Sequence, residues 1–393
     1  MIQNIEFWLV LAVSVPLFWL TPARYRYGLL AAISFGYIAT LSVKTVLALL
    51  VWSVVFYTLV PFTTDERKPI RRLLTIMLLA IIGFLAVFKY VRPALSYLFD
   101  QSPGVALIVP LGISYYTFKL IHYAVEFSRG NIKDRSIQHF LCYLYLFPIF
   151  TAGPIERFDH FLSEKQDKWS SNLAVEGITR ILHGLIKKGF LAGALLAPAL
   201  GPYQSAGDIL APEQTVAMGA VWAFVVLSFL ISYLDFSAYS DVAIGCSRLF
   251  GFRIAENFRF PIFAADISDF WRRWHMTLVN WVQSYVYMPL FGLTRKPVLC
   301  VFAVFLTIGI WHAASLNWVA WGLFHGAGVA VHMKWRRWRI KKKPKLLSGI
   351  VWRCVATLLT FVFAAIGYVF VATAEHGILA AFKVIGRLFI PLG

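Results

Sequence analysis

Long apolar runs, separated by short polar segments, dominate the pattern of this 393-residue chain. A helix needs about 20 mostly apolar residues to cross a hydrocarbon core of roughly 30 Å. The pattern therefore predicts an all-α, polytopic membrane protein of about eleven transmembrane helices. The predicted spans are residues 5–20, 28–41, 43–61, 73–91, 104–126, 138–152, 177–200, 215–234, 298–313, 315–333 and 350–373.

Residues 235–296 follow a different pattern, in which aromatic and aliphatic residues alternate with Asp, Arg, Asn and Ser. A plain lipid-facing span is excluded there, because polar or irregular backbone survives at membrane depth only where protein or a wet cavity covers it. We expect re-entrant or interfacial helices in this region. Such a covered, polar interior is where chemistry would take place.

Composition supports the membrane assignment and limits the function classes. Hydrophobic residues make up 59% of the chain and charged residues only 14%, whereas about a quarter of the residues in a soluble protein are charged. The net charge of +18 would suggest nucleic acid in a soluble protein. In a polytopic protein it indicates basic cytosolic loops near anionic membrane lipids, so we expect no nucleic-acid partner.

The basic segments predict an orientation. Residues 62–72 and 334–345 are rich in Lys and Arg and should face the cytosol. Counting spans from these two basic segments places the N-terminus outside the cell. It also places His312 near the outer end of its span and His325 near the middle of the membrane. The first apolar stretch lacks a basic leader, which favours a first span over a signal peptide. No repeat or linker stands out, so we treat residues 1–393 as a single domain.

The four cysteines occur singly inside apolar segments, without the paired spacing of a zinc site or a disulfide framework. We therefore expect no bound metal. The cysteines are Cys142, Cys246, Cys300 and Cys354.

Two histidines fall inside predicted spans, where an ionisable side chain is costly and indicates function by default. His325 has Trp321 on the same helical face and three glycines close by, at positions 322, 326 and 328. The alternative is a neutral histidine that hydrogen-bonds a neighbouring helix. His312 follows Trp311 and could be part of an interfacial aromatic anchor. On opposite arms of a tight helical hairpin, both histidines could face one cavity.

A third cluster lies at residues 269–278, where Arg272, Arg273, Trp274 and His275 follow one another. It fits an amphipathic interfacial helix with Arg at the head groups and Trp in the aromatic belt. It equally fits a cationic, aromatic-lined mouth that holds the phosphates or pantetheine arm of a thioester donor.

A fourth polar patch contains Asp235, Tyr239 and Asp241. Asp235 and Tyr239 would share one face of a helix. Pairing of the carboxylates with Arg253, Arg272 or Arg273 is at least as good an explanation as catalysis, so no base is assigned in this patch.

Seven motifs occur in a specific order, from residue 111 to residue 326. They are LGISYYTF (111–118), FPIFTAGPIERF (147–158), DFSAYSDVAIGCSRLFGF (235–252), ENFRFP (256–261), DFWRRWHMTL (269–278), GIWHAAS (309–315) and WGLFHG (321–326). Together they resemble the bacterial branch of the membrane-bound O-acyltransferase family. The resemblance covers residues 105–335 well and the terminal spans only by hydrophobicity.

The resemblance implies a fold in which re-entrant or interfacial helices enclose a central catalytic funnel. His325 matches the family's essential mid-membrane histidine, and His312 matches its upstream companion. His275, Arg272, Arg273 and Trp274 would form the donor-side mouth. Trp321, Asp235 and Tyr239 would support the site. The sequence departs from the family at one point. The family usually has glycine directly after this histidine, whereas Ala313 and Ala314 follow His312. The less permissive backbone puts close approach of a substrate at that turn in doubt.

The implied reaction moves an acyl group from a cytosolic thioester to a hydroxyl of an envelope polysaccharide or teichoic acid, with His325 as general base. No tightly bound cofactor is expected. The donor would be the phosphopantetheine of an acyl carrier protein or an acyl-CoA, and the acceptor could be reached directly or through a partner acyltransferase. The resemblance places the chain in the bacterial cytoplasmic (inner) membrane.

The acyl group remains open, because FTAGPIERF resembles the D-alanyl transferases and YSDVAIGCSRLFGF the acetyltransferases. Residues 289–296 also lack the Gly-Gly-Asn-Arg type of stretch that is usual in acetyltransferases. Two other function classes compete with the enzyme. One is a transporter or flippase, which should show two related halves. The other is a non-catalytic partner of an extracytoplasmic acyltransferase, which would tolerate loss of His325.

Overall fold

The computed structural model describes residues 2, 4–63, 68–91, 110–211, 216–342 and 349–390. These residues form helices joined by turns and loops, and the β-type pairing among them is one isolated bridge between Lys165 and Phe252. The prediction of an all-α fold is confirmed.

Seventeen segments of regular α-helix position the side chains discussed below. They are α1 (Ile5–Leu20), α2 (Ala23–Leu41), α3 (Val43–Leu59), α4 (Lys68–Ala86), α5 (Ile113–Ser128), α6 (Ile137–Tyr145), α7 (Phe158–Ser163), α8 (Ser171–Leu185), α9 (Ala206–Leu210), α10 (Met218–Leu249), α11 (Ile267–Trp271), α12 (Met276–Val282), α13 (Met288–Thr294), α14 (Pro297–His312), α15 (Leu316–Lys342), α16 (Gly349–Ala372) and α17 (Ile378–Arg387).

Together with the 3-10 and π-helical turns that continue α3, α4 and α8, several of these helices are long and apolar enough to cross a membrane, so the chain is a multi-pass membrane protein. By length and composition, five described helices qualify: Val43–Thr63, Arg72–Val91, Ser171–Ala199, Met218–Leu249 and Gly349–Ala372. Two shorter apolar helices, Ile5–Leu20 and Pro297–His312, accompany them. The count of eleven spans stays a prediction.

Two predicted spans have the wrong bounds. The segment 138–152 contains only the nine-residue helix α6, about 14 Å long and too short to cross a bilayer. The helix ends before Leu146, whose backbone is not helical (φ −43°, ψ 105°), and only a short 3-10 turn, Phe147–Ile149, follows. The predicted span 315–333 instead continues as helix to Lys342, so the basic residues from Lys334 to Lys342 lie on the last turns of α15 and not in a loop.

Parts of other predicted segments lie outside the described residues. The predicted span 104–126 is described only from residue 110, and its helix begins at Ile113. Residues 64–67 of the first basic segment and 343–345 of the second are outside as well, as are the side chains of residues 68–71.

The prediction for residues 235–296 is partly wrong. Residues 235–249 complete the single 32-residue helix α10 and do not form a separate re-entrant element. Two ion pairs explain how one helix tolerates two carboxylates: Asp235 pairs with Lys188 at 3.0 Å, and Asp241 pairs with Arg180 at 2.6 Å. The partners expected from the sequence were therefore wrong. Beyond α10 the chain is irregular and carries the short helices α11, α12 and α13.

Residues 1–184 and 239–256 form a first compact unit. In this unit α8 packs closely against the last turns of α10, where a β-carbon at Gly245 would lie 2.5 Å from the backbone oxygen of Gly177. The Arg180 to Asp241 pair lies one helical turn away from this contact, and Arg180 also bonds Glu256. Small residues allow the two backbones to approach, and the ion pair neutralises the buried charge.

Residues 185–238 and 257–393 form a second compact unit. Its tightest packing joins α14 and α15, which a three-residue turn connects. A β-carbon at Gly309 would lie 2.3 Å from the backbone oxygen of Trp318, and one at Gly322 would lie 2.7 Å from that of Phe305. Only glycine permits this approach. The prediction of one domain for the whole chain stays a prediction.

We expect Gly322→Ala to destabilise the second unit, because its methyl group would overlap the carbonyl of Phe305 and force the two helices apart. Overpacking of this kind costs about 1–3 kcal/mol. The measurement is the apparent melting temperature of the purified protein in detergent. The matched control is Gly386→Ala, since Gly386 has no atom within 4 Å of its β-carbon position. Equal melting temperatures for the two variants would contradict the close packing.

Candidate functional site

A small cavity in the second unit brings three histidines together. Its volume is about 190 Å³, and His275, His312 and His325 all line it. The remaining lining is mostly aromatic. It consists of Phe229, Ser232, Phe236, Phe270, Trp271, Trp274, Trp318, Trp321, Ala364, Tyr368 and Val371. We call this space the histidine cavity.

His325 lies on α15 and is almost completely buried, with 3% of its surface exposed. Its ring is enclosed by aromatic rings, among them Trp321 at 4.8 Å and Trp271 at 5.0 Å between centroids. Its Nδ1 atom has no hydrogen-bond partner among the described residues. Gly367 of α16 makes room for the ring, because a β-carbon there would lie 2.5 Å from Nε2. A buried polar atom without a partner is costly, so this nitrogen is positioned for a ligand or for chemistry.

His312 is the last residue of α14. Its ring stacks on Trp318 of the next helix, with 4.2 Å between centroids, and packs against Trp311 at 4.5 Å. The short turn and the close helix packing bring His312 to the same cavity as His325. The sequence-based prediction that the two histidines face one cavity is therefore confirmed as geometry.

His275 precedes α12 in a left-handed backbone conformation, with φ 44°. Its Nδ1 lies 3.0 Å from Oδ1 of Asn257, and the backbone N–H of Met276 donates to the backbone oxygen of Asn257. Nε2 is buried without a partner in the described part of the chain. A non-glycine residue in this conformation is strained, and such strain is typical of functional sites.

Two tryptophans named from the sequence also line the histidine cavity. The ring of Trp321 contacts that of His325, and its centroid lies 6.1 Å from the ring centroid of His312. Trp274 stacks on Phe229 at 5.7 Å and on Phe270 at 5.5 Å. Flat aromatic walls of this kind leave a narrow, largely apolar space that excludes water.

Arg272 and Arg273 do not line the histidine cavity. Both pair with Asp269, at 3.3 Å and 2.9 Å, and the Arg272 side chain is 62% exposed. Partial burial acts to raise the pKa of Asp269, but the hydrogen bonds and charges of Arg273 and Arg272 hold it below its ordinary value. The carboxylate therefore stays ionised and neutralises part of the arginine charge.

Asp235 and Tyr239 are not among the residues that line the histidine cavity. Asp235 pairs with Lys188 in the second unit. Tyr239 belongs to the first unit, where its hydroxyl shares a hydrogen bond of 2.8 Å with Thr151. Both contacts give these residues a packing role.

Sequence reasoning missed several cavity residues because they lie in ordinary apolar helices. Phe229 and Ser232 come from α10, and Ala364, Tyr368 and Val371 come from α16. Asn257, which orients His275, occurs in the ENFRFP motif, so a signal for it was present. Among the described residues no cluster of three or more His, Cys, Asp or Glu could hold a metal ion.

Comparison with known proteins connects this cavity to a chemistry. The model of the MBOAT, membrane-bound O-acyltransferase, family matches residues 27–374. The probable alginate O-acetylase AlgI of Pseudomonas syringae pv. tomato is 30% identical over 388 residues, which cover 93% of this chain and 71% of that protein.

Two other relatives act on different polymers. The teichoic acid D-alanyltransferase of Bacillus subtilis is 29% identical, with 72% of this chain and 74% of that protein covered. The peptidoglycan O-acetyltransferase of Helicobacter pylori is 29% identical, with 82% of this chain and 67% of that protein covered. All three names describe acyl transfer, and the family match spans both compact units. The chain therefore belongs to the membrane-bound O-acyltransferase family and is a multi-pass O-acyltransferase.

Proposed function

We propose that the protein transfers a short acyl group, acetyl or D-alanyl, from a cytosolic thioester to a hydroxyl of a cell-envelope polysaccharide or teichoic acid. One observation carries the proposal: three histidines line a single small aromatic cavity, and Nδ1 of His325 is buried there with no partner in the described part of the chain. The names of the three relatives supply the acyl groups and the kinds of acceptor.

His325 acts as the general base. A neutral imidazole nitrogen takes the proton of the acceptor hydroxyl as its oxygen attacks the thioester carbonyl. The ester bond forms, the carbon–sulfur bond breaks, and the thiolate leaves with the proton that the imidazolium returns. General base catalysis of this kind contributes about 10²- to 10⁴-fold. The aromatic rings around His325 keep out water, which would compete as acceptor.

The size of the histidine cavity supports a small acyl group. Its volume of about 190 Å³ lies below the range of roughly 300–1,000 Å³ that drug-sized ligands occupy. Acetyl and D-alanyl groups need little room. The wall residues Trp271, Trp274 and Trp318 are bulky and leave no wide path for a long chain.

The other two histidines border the same reaction space. His312, at the end of α14, orients the acceptor hydroxyl, and His275 lies on the donor side, oriented by its bond to Asn257. Arg272 and Arg273 lie next to His275 in the chain and provide cationic groups for the phosphate of phosphopantetheine or CoA. Asp269 holds both guanidinium groups in place.

The membrane arrangement completes the proposal. In the bacterial inner membrane, about eleven spans and the short helices α11, α12 and α13 would enclose a funnel with His325 near its middle. An acyl carrier protein or acyl-CoA would bind at the cytosolic side. The acceptor would enter from outside, directly or through a partner acyltransferase, and no tightly bound cofactor is required.

His325→Ala should abolish incorporation of ester-linked acyl groups into the envelope polymer, with a loss of about 10²- to 10⁴-fold, because the hydroxyl loses its base. Mass spectrometry of the ester groups, with and without the gene, measures the effect and identifies the acyl group. The control is His183→Ala, since His183 is exposed on α8. Ester content like that of the wild type in His325→Ala, at normal membrane levels of protein, would favour a non-catalytic partner and exclude this mechanism.

The double variant Arg272→Ala, Arg273→Ala should weaken donor capture and leave the chemical step intact, because neither side chain lines the histidine cavity. We expect a higher KM for the thioester donor and weaker cross-linking to it, with kcat changed little. Arg295→Ala is the matched control, since Arg295 is also exposed and follows a short helix. If donor cross-linking is unchanged, these arginines are interfacial anchors and the donor mouth lies elsewhere.

A further inference from the structure

A second, larger cavity lies in the second unit and shares no lining residue with the histidine cavity. Its volume is about 730 Å³, and helices α15 and α16 form most of its walls. We call it the lateral cavity. Apolar residues, among them Val331, Ala356 and Leu359, make up most of its lining.

The lining of the lateral cavity changes from aromatic to cationic along its length. At one end Phe324 and Phe363 stack on each other, with 4.2 Å between ring centroids. At the other end Arg339 of α15 and Arg353 of α16 line the same space. Arg353 precedes Phe363 by ten residues, which corresponds to about 15 Å along a helix. This length equals half the hydrocarbon core of a bilayer, roughly the reach of one lipid acyl chain.

The polar end of the lateral cavity has the composition of a head-group region. Trp335 and Trp352 lie beside the arginines, and Trp side chains favour the level of the lipid head groups. Neither Arg339 nor Arg353 forms an ion pair with a carboxylate within the described ranges. The acidic residue in the lining, Asp266, already has His332 at 3.4 Å and caps α11 by accepting the backbone N–H of Asp269.

The last turns of α15 add further positive charge around this end. Lys334, Arg336, Arg337, Lys341 and Lys342 are all exposed there. A cluster of basic residues at the end of a membrane helix attracts anionic lipids. Arg339 and Arg353 are the basic residues of this region that line the lateral cavity.

We propose that the lateral cavity binds one acyl chain of an anionic phospholipid, with the lipid phosphate between Arg339 and Arg353 and the chain along Val331, Ala356 and Leu359. The chain would end against the stacked pair Phe324 and Phe363. A thioester donor fits this cavity poorly, because the amide groups of a pantetheine arm would find few hydrogen-bond partners in its apolar walls. The stacked pair lines the lateral cavity and not the histidine cavity.

The end of the bound chain reaches the surroundings of the active-site histidine. The rings of Phe324 and Phe363 lie 5.5 Å and 5.6 Å from the ring of His325. A lipid chain in the lateral cavity would therefore support the outer side of the wall that packs against His325. Lipid binding itself does not depend on the role proposed for His325, so its test is independent of acyl transfer.

Photocross-linking in vesicles tests the site directly. The purified protein is reconstituted into phosphatidylcholine vesicles with a minor fraction of phosphatidylglycerol that carries a photoreactive group on its acyl chain. After irradiation, mass spectrometry maps the labelled peptides. We expect labels on residues 327–331 and 356–363, and much weaker labelling when the photoreactive lipid is phosphatidylcholine.

Two variants and their matched controls assign the head group and the chain. Arg339→Gln with Arg353→Gln should lower labelling roughly 25-fold, since each basic residue at an anionic membrane surface contributes about fivefold. Arg336→Gln with Arg337→Gln removes the same charge outside the cavity and should change labelling far less. Ala356→Trp should block the slot, whereas Val355→Trp, on the neighbouring exposed position, should not.

Three outcomes would overturn the proposal. Equal labelling by the two lipids would show a groove without head-group recognition. Full labelling of the Arg339→Gln, Arg353→Gln variant would show that these arginines do not bind the lipid phosphate. Loss of labelling on addition of coenzyme A, which lacks a lipid chain, would assign the lateral cavity to the thioester donor instead. Because Ala356→Trp tests the chain alone, misfolding of the arginine variant does not prevent a decision.

Discussion

The close contact between α14 and α15 is the constraint on which the candidate site depends. Gly309 and Gly322 let the two backbones touch where any side chain would separate them. The three-residue turn then places His312 at the end of one helix and His325 about two and a half turns into the next. The histidines are thus fixed by backbone packing and not by hydrogen bonds to each other. Nδ1 of His325 is buried in this position without a partner among the described residues.

The sequence predicted the elements that carry chemistry better than it predicted the bounds of the helices. The two histidines and the glycines around His325 form a local pattern, so their meeting in one cavity could be inferred from residue spacing. Trp321 lies one turn before His325 and was found for the same reason. Phe229 and Tyr368 were not found, because their contribution to the cavity arises from the packing of distant helices. Such packing cannot be detected in the local periodicity of the sequence.

The errors share one physical cause. Charged residues were judged from the sequence alone, without the residues that neutralise them in the fold. Asp235 and Asp241 argued against a continuous helix at 235–249, but Lys188 and Arg180 neutralise them and α10 runs through. The basic residues from Lys334 to Lys342 argued for a loop, yet Lys and Arg are good helix formers and α15 continues through them. In both cases the tertiary context decides whether a charge interrupts a helix. Hydropathy alone cannot supply that context.

Buried nitrogen atoms distinguish the histidine cavity from ordinary packing. Nδ1 of His325 and Nε2 of His275 are both buried without partners among the described residues. Leaving such an atom unsatisfied costs about 1–3 kcal/mol, and aromatic rings of similar shape could have filled the same space at no such cost. The ion pair of Arg180 with Asp241 shows the opposite arrangement, in which every charge has a partner. Within the described residues, the histidine cavity thus holds two imidazole nitrogens without partners, and the acyl transfer proposed above would supply those partners from the substrates.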